Sequence, residues 1–175
     1  LPEVIVELKQ LSEERFIVSV EDNGPGIIKQ QIPNIFGKLL YGSKFHSLRQ
    51  NRGQQGIGIS ASVLYGQLTT GKPAKIISKT DPKKPAHYFE LTIDTKNNKP
   101  EILKEEQKEW NKDHGTRIEI ELTGKYQKGK QSVDEYLKQT AIVNPHLHLI
   151  YISPLNERIE FPRATNQLPS ETKEI

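Results

Sequence analysis

Two runs of alternating apolar residues open the chain and constrain its fold more than any other feature. Val4, Val6 and Leu8 alternate with Ile5, Glu7 and Lys9, and Phe16, Val18 and Val20 alternate with Ile17, Ser19 and Glu21. A period of two puts each set on one face of a strand. The polar Ser12-Glu13-Glu14 between them predicts an antiparallel hairpin. The second run passes directly into Asp22-Asn23-Gly24-Pro25-Gly26, five residues of turn chemistry. Ile28, Ile32, Ile35, Phe36, Leu39 and Leu40 then recur at helical spacing, with Pro33 and Gly37 keeping that helix short or broken.

Tyr41 to Gln55 is polar, basic and glycine-punctuated, which predicts a long exposed loop. From Gly56 a second helix is expected, with Ile59, Val63, Leu64 and Leu68 on one face and Gly71 and Pro73 ending it. Lys75 to Thr80, His87 to Asp94 and Gly115 to Leu122 read as strands, separated by turns at 81–85 and 97–100. Glu101 to Trp110 suits a strand or a polar loop. Ser132-Val133-Asp134-Glu135 is a capping box, and Val133, Tyr136, Leu137, Thr140 and Ala141 give the following helix an apolar stripe up to Pro145. His146 to Ser153 and Arg158 to Phe161 complete a last hairpin. The expected fold class is an α/β (α+β) sandwich: helices packed on one face of a mixed, largely antiparallel sheet. Residues 1–161 form the expected domain and 162–175 a linker toward the next.

Composition narrows the classes. At 175 residues the chain can bury one substantial core. No apolar run reaches the roughly 18 to 20 residues of a membrane helix, and LPEVIVELKQ lacks the pattern of a signal peptide. The absence of cysteine excludes disulfides, thiolate metal sites and a cysteine nucleophile. The expected location is cytoplasmic. A net charge of +3 is too mild to argue for nucleic acid by itself. With no methionine and a first residue Leu1, the chain reads as a piece of something longer.

Two glycine-rich stretches invite a phosphate-binding reading. Gly37, Gly42, Ser43 and Lys44 approach a P-loop but invert its Lys-Ser/Thr order. Gly56-Ile57-Gly58-Ile59-Ser60-Ala61 matches a dinucleotide fingerprint, yet a polar loop precedes it where a strand is required. Both designs fail on context. A different combination remains: an Asp that closes a strand before paired glycines, and a later glycine-rich loop that opens a helix.

Those stretches, Asp22-Asn23-Gly24-Pro25-Gly26-Ile27 and Arg52-Gly53-Gln54-Gln55-Gly56-Ile57-Gly58-Ile59, resemble the two glycine boxes of the GHKL ATPases, which share the Bergerat ATP-binding fold. Gly115-Thr116 is similar to the superfamily's later Gly-Thr box. Tyr41-Gly42-Ser43-Lys44-Phe45, Leu68-Thr69-Thr70-Gly71-Lys72-Pro73 and Val143-Asn144-Pro145-His146 resemble in particular the B subunits of archaeal-type DNA topoisomerase VI.

The resemblance implies an ATP site with Mg2+. Adenine would meet Asp22, Gly24, Gly26 and Thr116. The phosphates would meet Arg52, Gly53, Gln54, Gln55, Gly56, Ile57, Gly58 and Ile59, with Ser43 and Lys44 added from a covering loop. It also implies that the general-base Glu and the Mg2+-binding Asn stand on a helix before the first glycine box. Only 21 residues precede Asp22, and they read as a hairpin, so both are expected upstream of Leu1 and the chain alone should hydrolyse ATP negligibly. The implied partners are a second B subunit joined on ATP binding, a DNA-cleaving A subunit, and double-stranded DNA, which would make the protein nucleoid-associated. A non-hydrolysing nucleotide-binding or interaction module, or a chaperone- or kinase-type GHKL domain, is the alternative.

The chemistry of these positions stands apart from any family. A carboxylate offers two acceptors to an amine such as that of adenine. Glycines at a helix start expose successive amides to an anion. Against this, Asp22 to Gly26 also compose an ordinary turn, Lys44 alone is a solvated lysine, and a strand Thr is usually structural. His146 and His148, two apart, lack a third metal ligand nearby and read as structural or surface residues. Trp110 reads as a packing residue, and Lys125, Lys128 and Lys130 as a solvated basic loop.

Overall fold

A computed structural model of the protein describes residues 2–39, 58–126 and 133–164. The strands are β1 (Glu3–Gln10), β2 (Arg15–Asp22), β3 (Ala74–Lys79), β4 (Ala86–Asp94), β5 (Lys99–Lys108), β6 (Gly115–Thr123), β7 (His148–Ile152) and β8 (Arg158–Phe161). They form one sheet in the order β5-β4-β3-β6-β2-β1-β7-β8. Neighbours are antiparallel except β1 and β7, which run parallel.

The alternation fixes which face is dry. Val6 pairs with Val20, Val20 with Ile118, Ile118 with Ile76 and Ile76 with Phe89, so one apolar row crosses five strands. On this face α1 (Ile32–Gly37) and α2 (Gly58–Thr70) enclose a core of Ile32, Phe36, Val63, Ile76, Phe89 and Ile118. Further along, α3 (Val133–Val143) sets Leu137 against Val6, Leu8, Leu149 and Tyr151. The other face carries the alternate residues, where Arg15 meets Glu121 at 2.6 Å. Helices thus cover one face of a mixed, mainly antiparallel sheet, as the sequence predicts.

Several details differ. The helix expected across Ile28 to Leu40 is a 3-10 turn (Lys29–Gln31) followed by the six residues of α1, with Pro33 in its first turn, where a missing N–H costs nothing. Of the ambiguous 101–110 region, residues 101–108 belong to β5, an edge strand that begins at Lys99, inside the expected 97–100 turn. In α2 the expected stripe is partly wrong: Val63 and Leu64 pack, but Leu68 is 73% exposed. The inward positions are Ser60, Val63 and Gly66. A Cβ on Gly66 would stand 2.6 Å from Ile120 Cγ2 and 2.8 Å from the Glu121 carbonyl oxygen, so its lack of a side chain lets the helix lie close on β6. Thr70 Oγ1 and Tyr65 Oη then donate to the Glu121 and Thr123 carbonyls.

In α3 Leu137 of the expected stripe is buried and Ala141 packs against the same core, while Val133 and Tyr136 are exposed. The helix is also held by Asp134, whose carboxylate accepts the Tyr126 hydroxyl at 2.7 Å and the Tyr151 hydroxyl at 2.6 Å. Beyond β8, Arg163 Nη2 donates to the Pro2 carbonyl (3.2 Å) and the Ala164 amide to the Pro145 carbonyl (2.8 Å). His148 Nδ1 lies 3.3 Å from Glu3 Oε2, and Nε2 lies 2.5 Å from Glu160 Oε1, tying β1, β7 and β8 together. The Tyr41 to Gln55 loop, Ser132 of the capping box, and Lys128 and Lys130 lie outside the described residues.

Candidate nucleotide site

One step along the ladder from the apolar row, the same face turns polar. Asp22 pairs with Thr116 across β2 and β6, and Thr116 with Ser78 across β6 and β3. Val4 of β1 flanks Asp22 on its other side. Asp22, Thr116 and Ser78 therefore stand abreast where the core ends. Asp22 Oδ1 accepts the Gly24 amide at 2.9 Å and the Thr116 amide at 3.2 Å. Among the described residues Oδ2 accepts no hydrogen bond. One oxygen of the half-buried carboxylate holds the turn, and the other is left to meet a donor.

The turn after Asp22 is built around two glycines. Gly26 has φ 80°, and a Cβ there would run into the Lys79 carbonyl oxygen. Gly115 has φ 145°, and a Cβ would run into the carbonyl of Asp22 itself. Both positions thus require glycine by conformation and by space. Asn23 prolongs the hairpin: its Oδ1 accepts the Glu3 amide at 2.8 Å, and its own amide donates to the Glu3 carbonyl at 3.3 Å.

Three further residues brace the site without a signal in the sequence. Lys112 Nζ donates to the Asp22 carbonyl at 2.8 Å and pairs with Glu21 at 3.3 Å. His114 Nδ1 lies 2.7 Å from the Gly24 carbonyl, an oxygen that only accepts, so that nitrogen carries the proton. Ser78 accepts the Ile27 amide at 2.8 Å. The connection between β5 and β6 thereby straps the Asp22 turn from outside, and Lys79 Nζ anchors it at the Trp110 carbonyl (3.1 Å). Trp110 contributes its backbone and a ring over which Lys112 sits at 5.8 Å.

An open cleft of ≈ 750 Å³ lies at this end of the sheet, lined by Glu3, Val4, Asp22, Gly24, Thr80 and His114 among others. The last turns of α2 sit on the Ile120–Thr123 end of β6. Gly58 and Ile59, the sequence-predicted phosphate residues within α2, are exposed. Ser43, Lys44, Arg52, Gly53, Gln54, Gln55, Gly56 and Ile57 lie outside the described residues. Among the described residues no group of three or more His, Cys, Asp or Glu side chains is placed to hold a metal ion. None of their helices is long and apolar enough to cross a membrane.

The arrangement is a half-buried carboxylate that lines an open cleft beside a glycine turn at a strand end, with Thr116 and Ser78 next to it in the sheet but not in the cleft's lining. The family model of histidine kinase-, DNA gyrase B- and HSP90-like ATPases matches residues 2–126, from β1 past the end of β6. The chain belongs to this ATPase family. Within the family, it is similar over its whole length to the B subunits of type 2 DNA topoisomerase 6. It is 54% identical to that of Methanococcoides burtonii, 55% to that of Natronomonas pharaonis and 51% to that of Archaeoglobus fulgidus. All of this chain is covered in each case, but only 28%, 22% and 29% of the respective relatives. The chain thus spans under a third of the length of these curated relatives.

Solved structures confirm the ATPase fold. The Aquifex aeolicus MutL ATPase domain complexed with ADP superposes with a TM-score of 0.54 over 92% of this chain and 57% of its own, at 18% identity. The N-terminal domain of a DNA repair protein gives 0.53 over 93% and 48%, at 15% identity. At those identities the likeness speaks for the fold alone.

Proposed function

We propose that the chain is the ATP-binding part of the B subunit of a type II DNA topoisomerase. The observation that carries this reading is the Asp22 carboxylate: one oxygen is spent on its own turn and on Thr116, and the other, on a residue that lines the cleft, accepts no hydrogen bond among the described residues. An exocyclic amine such as adenine's is the complement of that oxygen.

In this reading Asp22 and Thr116 meet the base, with Gly24 and Gly26 shaping the turn beneath it. The start of α2 at Gly58 and Ile59, together with Arg52 to Ile57, meets the phosphates, where helix-terminal amides favour an anion. Ser43 and Lys44 add a hydroxyl and a charge from the covering loop. The base is the part of the ligand these residues fit. Mg2+ when bound would neutralise phosphate charge. Residues 1–161 act as one domain, and 162–175 lead toward the next. ATP binding brings a second B subunit into contact, and hydrolysis is coupled to a cytoplasmic A subunit that cleaves double-stranded DNA. Support comes from the similarity of the whole of this chain to part of the topoisomerase 6 B subunits and from the family match.

The direct test is relaxation of supercoiled DNA by the intact protein with its A partner. ATP-dependent relaxation, lost in Asp22→Ala while the complex still assembles, supports the reading. Relaxation that needs no nucleotide, or that survives this substitution, overturns it.

A further inference from the structure

Ser78 belongs to none of the glycine-rich motifs, yet it is fully buried at the end of the polar row. Its hydroxyl has three partners: the Ile27 amide at 2.8 Å, the Gly115 carbonyl at 3.1 Å and Thr116 Oγ1 at 2.8 Å. A hydroxyl has one proton and two lone pairs. The amide can only donate to it and the carbonyl can only accept from it, so the single proton of Ser78 goes to Gly115. The remaining lone pair must then receive the proton of Thr116. The opposite assignment would set two bare oxygens, Ser78 Oγ and Gly115 O, against each other in a buried site, where an unmet polar contact is costly.

We infer that Ser78 is a positioning residue that fixes the polarity of Thr116 and so helps set which base the site accepts. With its proton drawn back toward Ser78, Thr116 Oγ1 keeps only lone pairs on the face it shares with Asp22. The free Oδ2 of Asp22 is likewise an acceptor only. Two acceptors side by side favour a ligand edge that carries N–H groups at the purine 6-position and oppose one that carries a carbonyl there. This rests on the reading of Asp22 and Thr116 as the base-binding residues. It adds that discrimination is held in place from behind, by a serine that never meets the ligand.

The test compares ATP with inosine triphosphate, which replaces the 6-amine by a carbonyl, using equilibrium binding to the intact protein. Wild type should prefer ATP by about tenfold or more. Ser78→Ala frees the Thr116 hydroxyl to turn and donate, so the preference should fall to within about threefold, mainly through a gain for inosine triphosphate. Thr116→Val should also narrow it. Adding Ser78→Ala to Thr116→Val should change the ratio no further, because the serine acts through the threonine. A purely structural serine would lower the melting temperature without touching the ratio. A serine acting only through Ile27 and the turn would shift the ratio equally in both backgrounds. Either result overturns the inference. If Ser78→Ala does not fold, as judged by circular dichroism, Thr116→Val decides alone: unchanged or tighter binding of inosine triphosphate supports an accepting Thr116, and weaker binding refutes it. If wild type does not separate the two nucleotides, the adenine reading itself fails, and this inference with it.

Discussion

Asp22 and Thr116 face each other in the β2–β6 ladder, and Asp22 Oδ1 accepts the Thr116 amide at 3.2 Å while also holding the Gly24 amide at 2.9 Å. Asparagine can make both bonds with its own oxygen. Its nitrogen then takes the place of Oδ2 and turns an acceptor into a donor. Asp22→Asn should therefore leave the melting temperature nearly unchanged. ATP affinity should fall by about one to two decades, and the gap between ATP and GTP should narrow. Calorimetric titration with both nucleotides, alongside a thermal melt, checks this. An unaltered nucleotide preference would reduce Asp22 to a turn residue.

Gly58 offers a cleaner probe of the phosphate side than its sequence context suggests. Among the described residues a Cβ built there meets nothing within 4 Å. None of them gives a reason for glycine at this position. Gly58→Val should accordingly keep the circular dichroism spectrum and weaken ATP binding, because the added side chain obstructs backbone approach to phosphate. Undiminished affinity would take Gly58 out of the site.

Gly66 should behave in the opposite way. In an exposed helix Gly→Ala stabilises by about 1 kcal/mol. Here the new methyl would push against Ile120 and the Glu121 carbonyl, which cannot easily move in mid-sheet. We expect Gly66→Ala to destabilise by about 1–3 kcal/mol in urea unfolding. A stabilised variant would mean that α2 can lift off β6 at little cost.

Three of the six tyrosines should resist ionisation. Burial raises the pKa of Tyr151 and Tyr126, and hydrogen bonds to the Asp134 carboxylate add to it. Burial and the bond to Glu90 do the same for Tyr88. A pKa raised in the folded state stabilises the fold fully below the ordinary tyrosine value of 10.0, and this contribution is lost as pH climbs above it. Unfolding free energy should fall above about pH 10. Tyrosinate absorbance should lag by the share of these three residues until the protein unfolds. In Asp134→Asn, Tyr126 and Tyr151 should ionise earlier. Titration of all six tyrosines in the folded protein near their ordinary value would contradict the buried geometry.

What the sequence made legible follows from where burial is one-sided. The β1–β2 hairpin and the strand end at Asp22 could be read because alternation reports a half-buried sheet and the turn residues mark its limit. Strand β5 could not, since it is exposed on most positions and owes its shape to hydrogen bonds with β4. The inward face of α2 was misread because Ser60 and Gly66 pack through smallness, which hydrophobic spacing does not register. Lys112 and His114 each reach across 90 residues to the Asp22 turn. Ser78 meets Thr116 only because β3 pairs with β6. Such neighbours are created by sheet order, and no local pattern encodes them.

Strand β1 is sealed on its far side by β7, and Glu3 and His148, partners in that parallel pair, are 145 residues apart. A ribosome adding roughly 5–20 residues per second takes about 7–29 s to cover that distance. For all of that time the first hairpin carries an open edge rich in valine and isoleucine, guarded mainly by Glu7 and Lys9. A chain cut short before His148 would keep that edge permanently, so premature termination between β6 and β7 should yield aggregating polypeptide even though most of the sheet has already been made.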